Sequence, residues 1–335
     1  MRLITARDVV RPDLRGAIVA IGNFDGVHRG HQKLLEVAKA RAEAEGRPWG
    51  VVTFEPHPRT FFKPSEPVFR LTPGPLKTRL IGALGASFVA ILDFDHALSA
   101  LSPAEFVRQH LIERLAVSHV VTGYDFHFGR GRTGNPATMT ALGDTLGFGV
   151  TIVDQVRDEG DIHSPFSSSS IRRALHHGHI ADAAHELGYN WTVMGKVVSG
   201  DRRGREIGFP TLNIVLDPGA EPFRGIYAVK VRDTAIRGGV HWPGAGYFGD
   251  RPTFGTGGTF VEVYLIGFSG DLYDRTLLIE FVDLIRPDRR FASIAELTEQ
   301  MRKDCLEVTA RLERHAASGG HDASTLGQLQ RAGQL

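Results

Sequence analysis

Five short apolar runs rich in β-branched residues mark the first half of the chain: AIVAIG (Ala17 to Gly22), WGVVTF (Trp49 to Phe54), SFVAILDF (Ser87 to Phe94), SHVVTG (Ser118 to Gly123) and FGVTIV (Phe148 to Val153). The stretches between them, His31 to Glu45, Pro75 to Leu84, Pro103 to Leu115 and Pro136 to Leu146, are amphipathic and read as helices. Near-continuous apolar strands alternating with helices predict a parallel sheet covered on both faces. Such sheets bind ligands beyond the carboxyl ends of their strands.

Around Gly178 to Asn190 the pattern changes. WTVMGKVV, GIYAVKV, FVEVYLIGF and LLIEFVDLI are spaced by GD, PG and GG turns rather than by helices, which predicts an antiparallel barrel or sandwich. A final amphipathic helix, roughly Ser293 to His315, is expected to pack on it, and the glycine-rich polar end AASGGHDASTLGQLQRAGQL to be mobile. The expected division is residues 1–184, residues 185–316 and a flexible tail, 317–335. Two domains also suit the length, since 335 residues exceed one comfortable core.

Composition narrows the class. With 42% apolar and 23% charged residues, and no apolar run long enough for a bilayer, a membrane protein is not expected. MRLITARDVVRPDLRG lacks the apolar core of a secretory signal, and the single cysteine, Cys305, has no internal partner; both suit a cytoplasmic location. The net charge is +1 with basic residues dispersed among acidic ones, so neither nucleic acid nor membrane is expected as a partner. Weak self-association is compatible with this composition. Any anionic ligand must be met by a local pocket.

The segments with chemical potential lie after strands: GNFDGVHRGH after the first, EPHP (Glu55 to Pro58) after the second and GYDFHFGRGRTG (Gly123 to Gly134) after the fourth. Glycines at 22, 26 and 30 allow close backbone approach, and the helix starting near His31 offers unpaired N–H groups and the positive end of its dipole. His28 and His31 then suit a phosphate. Zinc is the rival, with His57 and Asp25 or water completing its ligands, and an ordinary helix start without chemistry is the plainest account. SPFSSSSIRRAL reads first as a serine cap with surface arginines, yet its place beyond the last strand suits a second phosphate cradle. In the second half, Pro210 stiffens the backbone before Thr211 and Asn213, beside the glycine-rich stretch that ends at Gly208. A hydroxyl and an amide there suit a Mg²⁺–phosphate complex, although a Pro-Thr turn entering a strand is the plain reading. Glu262 alternates with Val261 and Val263, and most strand glutamates face water.

Taken in order, GNFDGVHRGH, TFEPHP, GYDFHFGRGRTG and SSSSIR resemble the adenylyltransferase module of bacterial bifunctional riboflavin kinase/FAD synthetases. GFPTLN, GIYAV, GDRPTFG, the strand glutamate and GDLY resemble that family's kinase module, over approximately Asn190 to Arg314. HxGH alone marks only the nucleotidyltransferase superfamily; the segments together are specific. The resemblance implies a Rossmann-like α/β nucleotidyltransferase domain followed by an antiparallel β-barrel kinase domain with a C-terminal helix. It implies phosphorylation of riboflavin to FMN by ATP, then adenylylation of FMN to FAD with release of pyrophosphate.

It further implies roles. His28 and His31 contact the ATP phosphates, with Gly22, Asn23, Phe24, Asp25, Gly26 and Gly30 shaping their turn. Ser167, Ser168, Ser169 and Arg172 form a second phosphate element, with Ser169 where threonine is usual, and Asp125 holds substrate. Gly208, Pro210, Thr211 and Asn213 bind ATP, Thr211 with Mg²⁺, and Glu262 takes the proton from the ribityl 5′-hydroxyl. Leu212 replaces the usual alanine, Gly267 a common aspartate and Asp274 a usual glycine. These departures leave open a barrel that binds flavin without phosphorylating it. A transferase of the same fold with a different acceptor, and a regulatory protein holding zinc at HRGH and EPHP, are the competing functions.

Overall fold

The computed structural model describes the whole chain except residues 157–164, 200–203, 205–206, 218, 237, 239, 250–259 and 320–323. The GDRPTFG motif and the stretch from Gly200 to Glu206 therefore lie largely outside the described residues. Contacts divide the chain into two compact units. The first comprises Met1–Val68 and Lys77–Phe166, the second Phe69–Leu76 and Ser167–Leu335.

The first unit is a six-stranded parallel sheet of β1 (Arg2–Ile4), β2 (Ile18–Ile21), β3 (Trp49–Glu55), β4 (Phe88–Asp93), β5 (His119–Gly123) and β6 (Gly149–Val153), in the order β1-β4-β3-β2-β5-β6. All four residues of β2 and the first six of β3 are buried, as a sheet covered on both faces requires. Gly50 is needed for close packing, because a Cβ there would stand 2.5 Å from the Phe88 ring. From β2 the chain winds outward through β3 and β4, then returns to β5 on β2's other side, so the switch point falls at β2. The three motif loops follow β2, β3 and β5, which are neighbours, and open on one edge.

Helices α1 (Arg29–Glu45), α2 (Pro58–Phe62), α3 (Gly74–Ala83), α4 (His96–Ala100), α5 (Pro103–Phe106) and α6 (Pro136–Leu146) connect the strands. The helix expected over Pro103 to Leu115 changes form. A capping box at Ser102 and Glu105 starts α5, after which Val107–Arg114 continues as a π-helix.

The second unit opens with α7 (Ser168–His176) and α8 (Ile180–Leu187). A closed antiparallel barrel follows, made of β7 (Thr192–Val198), β8 (Thr211–Val215), β9 (Gly225–Asp233), β10 (Trp242–Phe248), β11 (Phe260–Leu265) and β12 (Thr276–Pro287), in the order β10-β11-β8-β7-β12-β9. Closure removes the exposed edges an open sheet would leave. Trp191, Tyr227 and Phe281 form an aromatic cluster, with ring centroids 4.7 and 5.1 Å apart across Phe281. Helix α9 (Ile294–Ala317), capped by Ser293, packs Val308 and Leu312 against Ala228 and Val282.

The expectation of a mobile tail is corrected for residues 324–335. They hold a further helix, α10 (Thr325–Arg331), capped by Ser324, with Leu326, Gln330 and Leu335 buried. Gln330 Nε2 donates to the Asn190 carbonyl (3.0 Å) and to Thr192 Oγ1 (2.9 Å), while Asn190 N–H donates to its Oε1 (2.7 Å). The composition suggested disorder, but one polar side chain with three partners and two leucines suffices to dock the segment.

Candidate active sites

In the first unit the turn from β2 into α1 is tightly wound: Phe24, Gly26 and Val27 all have positive φ (51°, 86° and 39°), and Phe24 and Val27 are fully buried. A non-glycine residue held in this region is costly, and such strain concentrates at functional sites. The Asn23 carbonyl accepts from Thr53 Oγ1 at 3.1 Å, tying the turn to β3. Asp25 is buried, and a Cβ on Gly22 or Gly30 would come within 3.3 or 3.2 Å of the Phe24 and His28 rings respectively.

His28 is the N-cap of α1, its Nδ1 accepting from the His31 N–H at 3.4 Å. That bond leaves the proton of a neutral His28 on Nε2. The two imidazoles stack with centroids 3.7 Å apart, and Phe24 meets His31 edge-on at 5.2 Å. Burial, then the neighbouring His28 and Lys77, hold the His31 pKa well below the usual histidine value. Its Nδ1 is buried with no hydrogen-bond partner. A helix start bearing two such rings suits an anion, whose negative charge would favour the protonated form of His31 and oppose the depression.

Lys77 has no motif around it to single it out in the sequence. It is almost fully buried, its Nζ 2.9 Å from Glu55 Oε1 and 3.4 Å from Thr53 Oγ1, which links EPHP to the histidine turn. His57 caps α2 by accepting from the Arg59 N–H (3.1 Å). Among the described residues no three His, Cys, Asp or Glu side chains converge as a metal site, so the zinc reading has no ligand set here. Asp125 is exposed on the loop after β5.

Ser167, Ser168, Ser169 and Arg172 belong to the second unit, whereas His28 and His31 belong to the first. Ser167 caps α7, accepting from the Ser170 N–H at 3.1 Å. The Glu186 carboxylate accepts from the Ser167 N–H (3.3 Å) and from the Ser170 hydroxyl. Arg172 Nε donates to the Phe69 carbonyl at 2.6 Å. The capping reading of this segment therefore holds at Ser167.

Inside the second unit, a cavity of about 340 Å³ is lined by Thr211, Asn213, Glu262 and a set of aromatic residues including Phe209, Tyr247 and Tyr264. Antiparallel pairing sets Glu262 directly opposite Asn213 on one side and Tyr247 on the other. Thr211 Oγ1 donates to Glu262 Oε2 at 3.3 Å. Asn213 is buried, with Oδ1 lacking a partner, an acceptor left available to a ligand. Gly208 (φ 83°) turns the chain and Pro210 directs it into β8. The far wall comes from α9 and the end of β12, where Arg286 bonds Asp304 through Nε (2.9 Å) and Nη2 (2.7 Å).

Gly267 and Asp274 both adopt positive φ (72° and 62°), a conformation aspartate tolerates better than most residues, and Asp274 pairs with Lys196 Nζ at 2.7 Å.

A helix-start histidine pair at the carboxyl edge of a parallel sheet, and a hydroxyl, an amide and a carboxylate grouped in a barrel cavity, define a two-site phosphate-transferring enzyme. The comparisons narrow this class. The FAD synthetase model matches residues 10–168 and the riboflavin kinase model residues 187–312. The bifunctional riboflavin kinase/FMN adenylyltransferase of Pseudomonas fluorescens is 38% identical over 311 residues, 92% of this chain and 97% of that protein. Its counterpart from Escherichia coli K12 is 36% identical over 296 residues, 88% and 92% of the two chains. A crystal structure described as a macrolide-efflux protein from Streptococcus pneumoniae superposes with a TM-score of 0.77 at 28% identity, covering 91% of this chain and 97% of that one. The chain belongs to the bifunctional riboflavin kinase/FMN adenylyltransferase family and carries both activities. Among the described residues no helix is long and apolar enough to cross a membrane.

Proposed function

We propose that the barrel unit phosphorylates riboflavin and that the histidine turn of the sheet unit serves the adenylylation of FMN, with the division of roles set by the two nucleophiles. A ribityl hydroxyl is a poor nucleophile until it loses its proton. Glu262 is the base: its carboxylate takes the 5′-hydroxyl proton as the oxygen attacks the γ-phosphorus of ATP and ADP departs. The observation that carries this reading is the 3.3 Å Thr211–Glu262 hydrogen bond beside the unpartnered Asn213 amide oxygen, within one cavity. The Thr211 hydroxyl and Asn213 Oδ1 are hard oxygen donors that fit Mg²⁺ arriving with ATP, which would neutralise phosphate charge there.

An FMN phosphate is already ionised and needs no base. Its oxygen attacks the α-phosphorus of ATP and pyrophosphate leaves, so the requirement is to offset repulsion between anions. His28 and His31 supply N–H donors and the start of α1 its dipole. To Ser167, Ser168, Ser169 and Arg172 we assign further phosphate contacts, and to Asp125 a part in holding substrate. We assign residues 1–184 and 185–316 to the two catalytic domains, and the reaction to the cytoplasm. Supplying riboflavin, ATP and Mg²⁺ to the pure chain and separating the flavins by chromatography tests the reading: FMN and then FAD should accumulate. Loss of both products in the His28→Ala, His31→Ala double variant would overturn the division of roles.

A further inference from the structure

We propose that Lys77 is a positioning residue for adenylyl transfer: its buried ammonium, held by Glu55 and Thr53, fixes the β2–α1 turn in the form that presents His28 and His31 to the nucleotide. The proposal rests on the assignment of that turn to FMN adenylylation, and it adds a residue that lies outside the motif segments.

Lys77 lies on α3 within the first unit and is 5% exposed. It falls in the buried stripe of that helix, one turn before the fully buried Leu80 and Ile81. Packing alone calls for an apolar residue there. A charged side chain in such a place loses its hydration, and replacing a buried ion pair by apolar residues of similar volume is often neutral or stabilising. Stability is therefore a weak reason for an ammonium at this position. Its contacts supply a better one.

The Nζ lies 2.9 Å from Glu55 Oε1 and donates to Thr53 Oγ1 at 3.4 Å. Thr53 Oγ1 in turn donates to the Asn23 carbonyl at 3.1 Å. Because an ammonium can only donate, the hydroxyl accepts from it and directs its own proton at Asn23. The relay thus runs one way, from α3 through β3 into the turn. The next residue, Phe24, is held at φ 51° with its ring edge-on to His31, 5.2 Å between centroids. A non-glycine residue stays in that region only where its surroundings over-determine it. Lys77 and Thr53 are two of the groups that do so.

The same ammonium sets the charge around the His31 ring. Helix α1 packs on β2, β3 and β5; the titratable groups at the carboxyl ends of these strands and in the turn are Asp25, His28, Glu55 and Asp125, with Lys77 on α3. After burial, His28 and Lys77 are what lower the His31 pKa. The free enzyme therefore holds this ring neutral, and its stack on His28 escapes the repulsion that two imidazolium rings would suffer. An arriving triphosphate meets two rings already in place.

A steady-state assay of FMN adenylylation by the full chain, with an NMR titration of the His31 ring, tests this. In Lys77→Met, kcat for FAD formation should fall about tenfold or more while the KM for ATP changes less than about threefold, as loss of orientation rather than of binding requires. The His31 pKa should rise by about 0.5 or more in that variant, yet stay below 6.5 because burial persists. A lysine with a purely structural role would leave that titration where it was. Thr53→Val keeps the volume and the Lys77–Glu55 pair but cuts the relay, so it should lower kcat by itself; it decides the matter if Lys77→Met fails to fold. An unchanged kcat in either variant, or an unchanged His31 titration in Lys77→Met, overturns the proposal. The His28→Ala, His31→Ala variant, assayed alongside, separates the two readings. Full FAD synthesis by that variant removes the histidine turn from the reaction and this proposal with it, whereas its inactivity beside an unimpaired Lys77→Met overturns the role of Lys77 alone.

Discussion

Replacing Glu262 by Gln preserves side-chain size and the Thr211 contact while removing the capacity to take a proton. Riboflavin phosphorylation should fall by roughly 10² to 10⁴, the usual worth of general-base assistance, while added FMN is still converted to FAD. A steady-state assay with each flavin supplied separately checks this. The His28→Ala, His31→Ala pair should behave in the converse way, with FAD formation down by about 10² or more and FMN formation unchanged, because donors aimed at developing charge are worth roughly 10² to 10³ each. A third residue makes a prediction about pH. His119 is buried in the sheet, its Nε2 2.8 Å from Thr151 Oγ1, and burial, more than the nearby Arg41, pushes its pKa down to about 4. A pKa lower when folded than when unfolded gives stability that is complete above about 6.5 and drains away as pH falls towards 4. Thermal melts between pH 7 and 4.5 should show this loss, and His119→Gln should reduce its slope.

Among the elements, the tail helix α10 provides the sharpest test of a structural correction. Gln330→Ala removes three hydrogen bonds and strands the buried Asn190 N–H, at a cost of about 1 to 3 kcal/mol. The denaturant midpoint should drop with little change in slope; an unchanged midpoint would mean the segment adds nothing to the barrel. Strands with dense β-branched content, such as β2 and β5, were legible because burial on both faces demands that content. WPGAGYF was not, because its proline and two glycines argue against a strand. In the barrel those glycines are required: a Cβ on Gly244 would stand 2.9 Å from Val263, and one on Gly246 3.1 Å from Val229. The turn from β2 into α1 was legible through GNFDGVHRGH, but the Lys77–Glu55 pair beneath it was not, since its members lie on separate elements that only the sheet brings together.

For the whole molecule, the division into units adds a prediction about fragments. Phe69–Leu76 belongs by its contacts to the second unit, where Trp191 Nε1 donates to the Leu71 carbonyl (3.2 Å) and Phe69 packs edge-on to Trp191 at 5.7 Å. A fragment of residues 185–335 should therefore retain riboflavin kinase activity yet melt below the intact chain, because its buried indole N–H loses its acceptor and it lacks α7 and most of α8. Equal melting temperatures for fragment and full chain would show that residues 69–76 and 167–184 contribute no stability. Hydrophobic period determined by itself that a parallel α/β unit precedes an antiparallel β unit, because burial on one face or two leaves a distinct period in the residues. The local motifs likewise determined which side chains could meet phosphate. Only the tertiary structure decided that His28 stacks on His31, that Thr211 reaches Glu262 across two strands, and that a glycine-rich end closes over Asn190. Each of these is a contact between residues whose nearness depends on packing, and packing leaves no period along the chain.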